Sequence, residues 1–208
     1  GDEGISFTQP FGVSAVNAGS VEINADKELA VVENGDTVTC TVSMKGLTGL
    51  NSFDVAVSYD NAVFEVTEVK SLLENTVFSA DKSTEGTVRM IIGTSANISG
   101  DVDVLQVVLK LKEGATTGNT NLSIQSINTA ATNEDGTFEG PVAITDGEDT
   151  VEVISYRAAA DINQDGSVTL ADLSIALSKY QTADTVCDID RSGTVDAADL
   201  VILAGFIA

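Results

Sequence analysis

The chain has 208 residues, of which 32 are acidic and 10 basic, and a net charge of −22 repels phosphate backbones and anionic membranes, which excludes nucleic acid and lipid as partners. It has no histidine, so Ser-His-Asp and Cys-His catalysis and imidazole metal ligation are ruled out. Hydrophobic residues make up 43%, enough to bury a core, while no apolar run approaches the ~20 residues of a membrane span, so membrane insertion is not expected.

Residues 1–19 form an N-terminal arm without an assigned element. Its first residues, Gly1, Asp2, Glu3 and Gly4, lack the basic head and apolar stretch of a secretion signal, so any leader is expected to have been removed. From 20 to 155 the sequence is a series of short β-patterned runs separated by Gly, Asn and Asp turn signals. Strands are expected at 20–23, 36–44, 52–59, 63–69, 76–79, 87–93, 104–112, 121–127 and 150–154, which suits a mainly β, nine-stranded sandwich. Cys40 falls in the second of these as a small buried hydrophobe. With Cys187 far away and no CxxC spacing, the cysteines read neither as a zinc site nor as a disulfide framework.

In the run 52–59, Phe53, Val55, Val57 and Tyr59 alternate with small or polar residues, so these four face a core. The run 87–93 alternates less cleanly. If Val88, Met90 and Ile92 point inward, Ile91 shares the outer face with Arg89, either as part of a contact surface or beneath a neighbouring loop.

After Ile154 the pattern changes. Residues 156–160 read as a short linker, and from 161 to 208 acidic loops alternate with short apolar helices. Asp161, Asn163 and Asp165, then Gly166, Ser167, Thr169 and Asp172, occupy positions 1, 3, 5, 6, 7, 9 and 12 of a calcium loop. Asp188, Asp190, Ser192, Gly193, Thr194, Asp196 and Asp199 repeat the pattern. A hard cation needs short oxygen-bearing side chains at 1, 3 and 5, a glycine at 6 for the reversal, a carbonyl at 7, a water-mediated contact at 9 and a closing carboxylate at 12. Two complete matches, each followed by Asp-Leu and an apolar helix, set aside the alternative of solvated acidic turns. Two calcium ions are expected.

An EF-hand would place Glu at position 12 and a full helix before the loop. Here Asp172 and Asp199 stand at position 12, and each unit is loop then exiting helix, over 170–180 and 197–207. Leu173, Ile175, Ala176 and Leu177, with Leu200, Ile202, Leu203 and Phe206, are expected to pack the helices together.

These duplicated loop-helix units resemble the dockerin family, calcium-binding modules that plug enzymes and scaffold subunits into cohesins. The resemblance implies a partner-contacting surface at loop positions 10 and 11, here Leu170 and Ala171 in one unit and Ala197 and Ala198 in the other. The region from about 21 to 154 is similar to a cohesin, a nine-stranded jelly-roll sandwich. Its motifs are the Gly35–Thr39 segment, the stretch from Lys45 through Phe53 to Asp60, the run Val63, Phe64, Glu65 and Val66, and the segment 104–112. In that family one flat sheet face receives the dockerin, which marks Asp54, Ala56, Arg89 and Ile91 as contacts.

The expected function is that of a non-catalytic adaptor scaffoldin in an extracellular, cell-surface-associated complex for polysaccharide degradation. Its sandwich would accept a dockerin-bearing enzyme or subunit while its own dockerin docks onto a cohesin of another scaffoldin. Head-to-tail self-association also fits a chain holding both halves of a lock. The alternative is a dockerin-borne carbohydrate-binding sandwich, which 5% aromatic content and no tryptophan disfavour. A glycosidase would need a marked carboxylate pair, and the sequence shows none.

Overall fold

The computed structural model describes residues 19–130 and 143–207. The expected arm at 1–19 therefore lies, except for Gly19, outside the described residues. Nine strands come first: β1 (Ser20–Ala25), β2 (Leu29–Val31), β3 (Thr37–Ser58), β4 (Phe64–Ser71), β5 (Thr76–Asp81), β6 (Thr87–Leu111), β7 (Gly118–Ala130), β8 (Ala143–Asp146) and β9 (Glu148–Ile154). Three helices follow: α1 (Tyr156–Ala160), α2 (Leu170–Ser178) and α3 (Ala197–Ala204).

Two long strands organise the sandwich by serving both layers. The first half of β3 pairs with β1 (Val21 opposite Met44, Ile23 opposite Val42), and its second half pairs with β7 (Val55 opposite Ile127). Likewise β6 begins beside β5 and ends beside β4. One layer thus runs β5, β6, β3, β7, β9, β2, and the other β4, β6, β3, β1, β8. Phe53, Val55, Val57, Val88, Met90 and Ile92 from the first meet Val38, Cys40, Val42, Met44, Leu105, Val107 and Leu109 from the second, all fully buried. Each of the larger side chains contributes about 1.5 to 3 kcal/mol by leaving water. Both cysteines are buried free thiols, and burial pushes the Cys40 thiol up to about 12, out of reach of thiolate chemistry.

The strands differ from expectation in two ways. The runs at 36–44 and 52–59 are one strand, as are those at 87–93 and 104–112. The intervening glycines bend a continuous ladder through register shifts between Met44 and Ser52, with Gly46, Gly49 and Gly100 at positive φ. The tally of nine is restored by β2 and β8. They are three and four residues long, run parallel to β9 and β1, and are too short to show alternation.

The C-terminal elements have their own small core of Ala160, Val168, Ala176, Ile189 and Leu203, with Tyr156, Ala159, Ile162, Leu173, Leu200, Ile202 and Phe206 packed on it. The segment expected as a linker, 156–160, is instead α1. Ser155 caps it by accepting from the Ala158 N–H at 3.1 Å, and it belongs to this core. The other helices end earlier than expected. Leu177 also departs from its expected packing role: it is 53% exposed, next to the fully buried Ala176.

Candidate metal centre and interaction faces

The outer face of the first layer is fixed by strand register. Asp54 on β3 stands between Ile91 on β6 and Asn128 on β7, and the next pair along, Ala56, stands between Arg89 and Ser126. On β5, Ser79 lies opposite Ile91, and Asp81 lies opposite Arg89. Asp54, Ala56, Arg89 and Ile91, which the sequence placed together, therefore do share one face. Ile91 is half exposed, with no loop over it among the described residues, whereas Ala56 is buried and offers little area. Val77, one row further along and opposite Gly93, is 81% exposed. The sequence reading passed over Val77, although the inward Phe78 beside it carries the signal in simple alternation.

Arg89 donates to both oxygens of Asp54, from Nε at 2.9 Å and from Nη2 at 2.6 Å. This fork holds the Asp54 carboxyl below the usual carboxylate range, against the opposing pull of partial burial. Because the folded value is depressed, the pair stabilises the fold fully above the ordinary carboxylate pKa and loses that effect as pH falls through the depressed value. Comparing unfolding midpoints of the native chain and Asp54→Asn from pH 7 downward should show the native chain losing more stability on the acid limb. Parallel curves would contradict the assignment.

The two C-terminal loops fold into the same shape from different residues. At position 4, Gln164 and Arg191 have φ of 58° and 62°, and at position 6, Gly166 and Gly193 have 90° and 93°. The glycines are required because a side chain at that φ is strained. In the first loop Asp161 accepts from the N–H groups of Asp165 (3.1 Å) and Gly166 (2.9 Å). In the second Asp188 accepts from Ser192 (3.0 Å) and Gly193 (2.8 Å). Position 12 closes each loop. Asp172 accepts from Asn163 and Thr169, Asp199 accepts from Ile189, Asp190 and Asp196, and both carboxylates are fully buried.

Those same aspartates complete capping boxes. Thr169 and Asp196 are the N-caps of α2 and α3, and Asp172 and Asp199 reach back to the cap N–H groups. One residue type thus starts the helix and faces the loop. At Asp172, burial alone would raise the carboxyl, but the N–H and hydroxyl of Thr169 and the N–H of Asn163 hold it below its ordinary value, ionised in a fully buried position.

In the second loop, carboxylate oxygens of Asp188, Asp190 and Asp199 lie within 4.8 Å of one another. At an effective dielectric near 20, two unit charges at that spacing repel by roughly 3 kcal/mol. Among the described residues, the ion pairs involve Asp54, Asp101, Glu152 and Asp184, so no lysine or arginine forms an ion pair with this cluster. An all-oxygen donor set with uncompensated negative charge fits a hard divalent cation such as calcium. Asp184, just ahead of the loop, is committed elsewhere, to Lys179 at 3.2 Å and to the N–H groups of Val186 and Cys187.

The contacts expected on the helices are all exposed at their surface: Leu170 and Ala171 on α2, Ala197 and Ala198 on α3. Leu170 is 69% exposed, and Leu177 and Val201 extend the same apolar surface along the two helices.

The model of the cohesin domain family matches residues 19–151. No curated protein matches the chain. Among solved structures, the cohesin module of a Clostridium perfringens family 33 glycoside hydrolase is similar at 17% identity and a TM-score of 0.57, over 67% of this chain and 99% of that one. The seventh ScaB type I cohesin of Pseudobacteroides cellulosolvens is similar at 19% identity and a TM-score of 0.55, over 66% and 92%. A type I cohesin–dockerin complex from Clostridium thermocellum contains a similar chain at 22% identity and a TM-score of 0.51, over 65% and 99%. These likenesses bear on the fold of the sandwich. Through that sandwich the chain belongs to the cohesin family, whose domains are non-catalytic interaction modules.

Proposed function

We propose that the chain is an extracellular, non-catalytic adaptor: its cohesin sandwich captures a dockerin-bearing enzyme or subunit, and its C-terminal module is a calcium-dependent dockerin that docks onto a cohesin of another scaffold. The observation that carries this reading is the presence, beside a cohesin sandwich, of two loops with the same backbone shape and matching hydrogen bonds to the aspartates at positions 1 and 12, one of them gathering three carboxylates within 4.8 Å. Asp161, Asn163, Asp165 and Asp172 would hold one calcium ion and Asp188, Asp190, Ser192 and Asp199 the other. Ser167 and Thr194 would add backbone carbonyls, and Thr169 and Asp196 would act through water. The bound ions would supply the counter-charge that lets these carboxylates converge. The protein's own contribution is the capping geometry that couples each loop to its helix.

The similar Clostridium thermocellum structure is a cohesin–dockerin complex, which supports a dockerin as the partner of the sandwich, and the exposed Ile91 and Val77 beside the Arg89–Asp54 pair support this face as the receiving one. The rows described on this face are aliphatic, polar and charged, without an aromatic platform, which disfavours the carbohydrate-binding alternative. The test is to immobilise the full chain and present purified dockerins of several types, purified cohesins, and insoluble polysaccharide, with calcium and with chelator. Capture of a dockerin and of a cohesin in calcium, with both captures lost in chelator, supports the adaptor. Retention on polysaccharide without either capture overturns it.

A further inference from the structure

We propose that Glu33 locks the C-terminal module to the sandwich in one fixed orientation, so that the chain presents its two binding surfaces as a single rigid body rather than as modules on a tether. Glu33 lies just past β2, in the turn that returns to β3. Its carboxylate accepts from the Ser155 hydroxyl, from the Tyr156 N–H at 2.9 Å and from the Arg157 N–H at 3.0 Å. The first N–H groups of a helix have no partner within the helix. Here α1 has two of them satisfied by a residue more than 120 positions earlier in the chain.

The surroundings leave little slack at this joint. β9 ends at Ile154 and α1 begins at Tyr156, so Ser155 is the whole connection. Val32 donates to the Ile154 carbonyl at 3.0 Å, extending the parallel pairing of β2 with β9 up to that residue and fixing where Glu33 stands. On the far side, α1 is part of the C-terminal core through Tyr156, Ala159 and the fully buried Ala160, and the Arg157 guanidinium lies 5.9 Å from the centre of the Phe206 ring. One helix is therefore bonded to the sandwich at its start and packed into the other module along its length. Burial alone would raise the Glu33 carboxyl, yet the Ser155 hydroxyl and the N–H groups of Arg157 and Tyr156 hold it below its ordinary value, as a charge engaged by several donors.

A second bridge is weaker. Arg191, at position 4 of the second loop, comes within 4.0 Å of Glu152 on β9, and both side chains are more than 40% exposed. A pair of that kind is screened by water and holds little geometry. The joint therefore depends on Glu33, and the directions in which Ile91 on the sandwich and Leu170, Leu177 and Val201 on the helices face are set relative to one another by this one side chain.

The experiment measures residual dipolar couplings and ¹⁵N relaxation on the full chain in millimolar calcium. In the native chain a single alignment tensor should fit both modules, with one rotational correlation time. Glu33→Ala should keep dispersed, folded spectra for both modules but require two tensors, with the C-terminal module's correlation time falling by a factor of about 1.5 or more. Glu33→Gln, which keeps an accepting oxygen, should lie between them, and Arg191→Ala should match the native chain. Two independent tensors in the native chain, or one shared tensor in Glu33→Ala, would overturn the joint. C-terminal amides that remain unstructured in calcium would overturn the joint and the calcium reading together, which distinguishes that failure from separate tensors on two well-folded modules.

Discussion

Asp199→Ala is expected to dissolve the C-terminal module while leaving the sandwich folded. The Asp199 side chain is fully buried and accepts from Ile189 at 2.6 Å, from Asp190 at 3.1 Å and from Asp196 at 2.8 Å. Removing it orphans three N–H donors, the first on the fully buried Ile189, and each unsatisfied buried donor costs about 1 to 3 kcal/mol. It also removes the reciprocal half of the α3 capping box and one of the three clustered carboxylates. The module buries seven apolar residues among those described, Cys187 and Val195 included, too small a reserve to absorb roughly 3 to 5 kcal/mol. The expected outcome is loss of the helical part of the far-UV spectrum, loss of one or both calcium ions by calorimetry, and a retained β signal. A full helical signal in Asp199→Ala would contradict the role given to this residue.

The second large effect is expected on the outer face of the sandwich. Ile91 is 51% exposed and sits directly opposite Asp54, whose carboxylate is held by the Arg89 fork. Ile91→Asp places a second carboxylate beside the first at the centre of the face. It deletes an apolar anchor and sets a charge where a partner must displace water. Anchors of this kind are worth about 2 kcal/mol or more, and each 1.4 kcal/mol is tenfold, so dockerin affinity should fall by roughly thirtyfold or more, with only a small fall in melting temperature from the two carboxylates facing each other across the ladder. An unchanged dissociation constant would remove Ile91 from the interface and move the binding surface elsewhere on the sandwich.

Much of the local pattern was legible because local physics fixes it. Alternation in the run from Phe53 to Val57 gave the inward set, and the awkward pattern around Arg89 and Ile91 gave the outer face. The loops read directly from spacing, since position 1, the position-6 glycine and position 12 each answer to a requirement within a dozen residues. What the sequence hid is set by contacts far apart in the chain. The glycines at 46, 49 and 100 look like turns, and only the partner strand makes them bends in one ladder. β2 and β8 are defined by parallel neighbours rather than by their own pattern. Residues 156–160 are poor in helix signals apart from alanine, and their N-terminal donors find Glu33, which nothing near it in sequence foretells. Leu177 follows helical spacing for the core, yet it lies on the exposed side of α2, extending the surface that Leu170 begins.

The claim that one chain offers a receptor at one end and a calcium-dependent plug at the other is tested most directly by its ternary complex. The full chain, a matched dockerin and a purified cohesin, mixed in equal amounts and weighed by light scattering after size exclusion in calcium, should give a one-to-one-to-one particle that chelator takes apart, since the plug at each junction is a calcium-dependent module. A cohesin that never joins in calcium, across the known cohesin types, would contradict it.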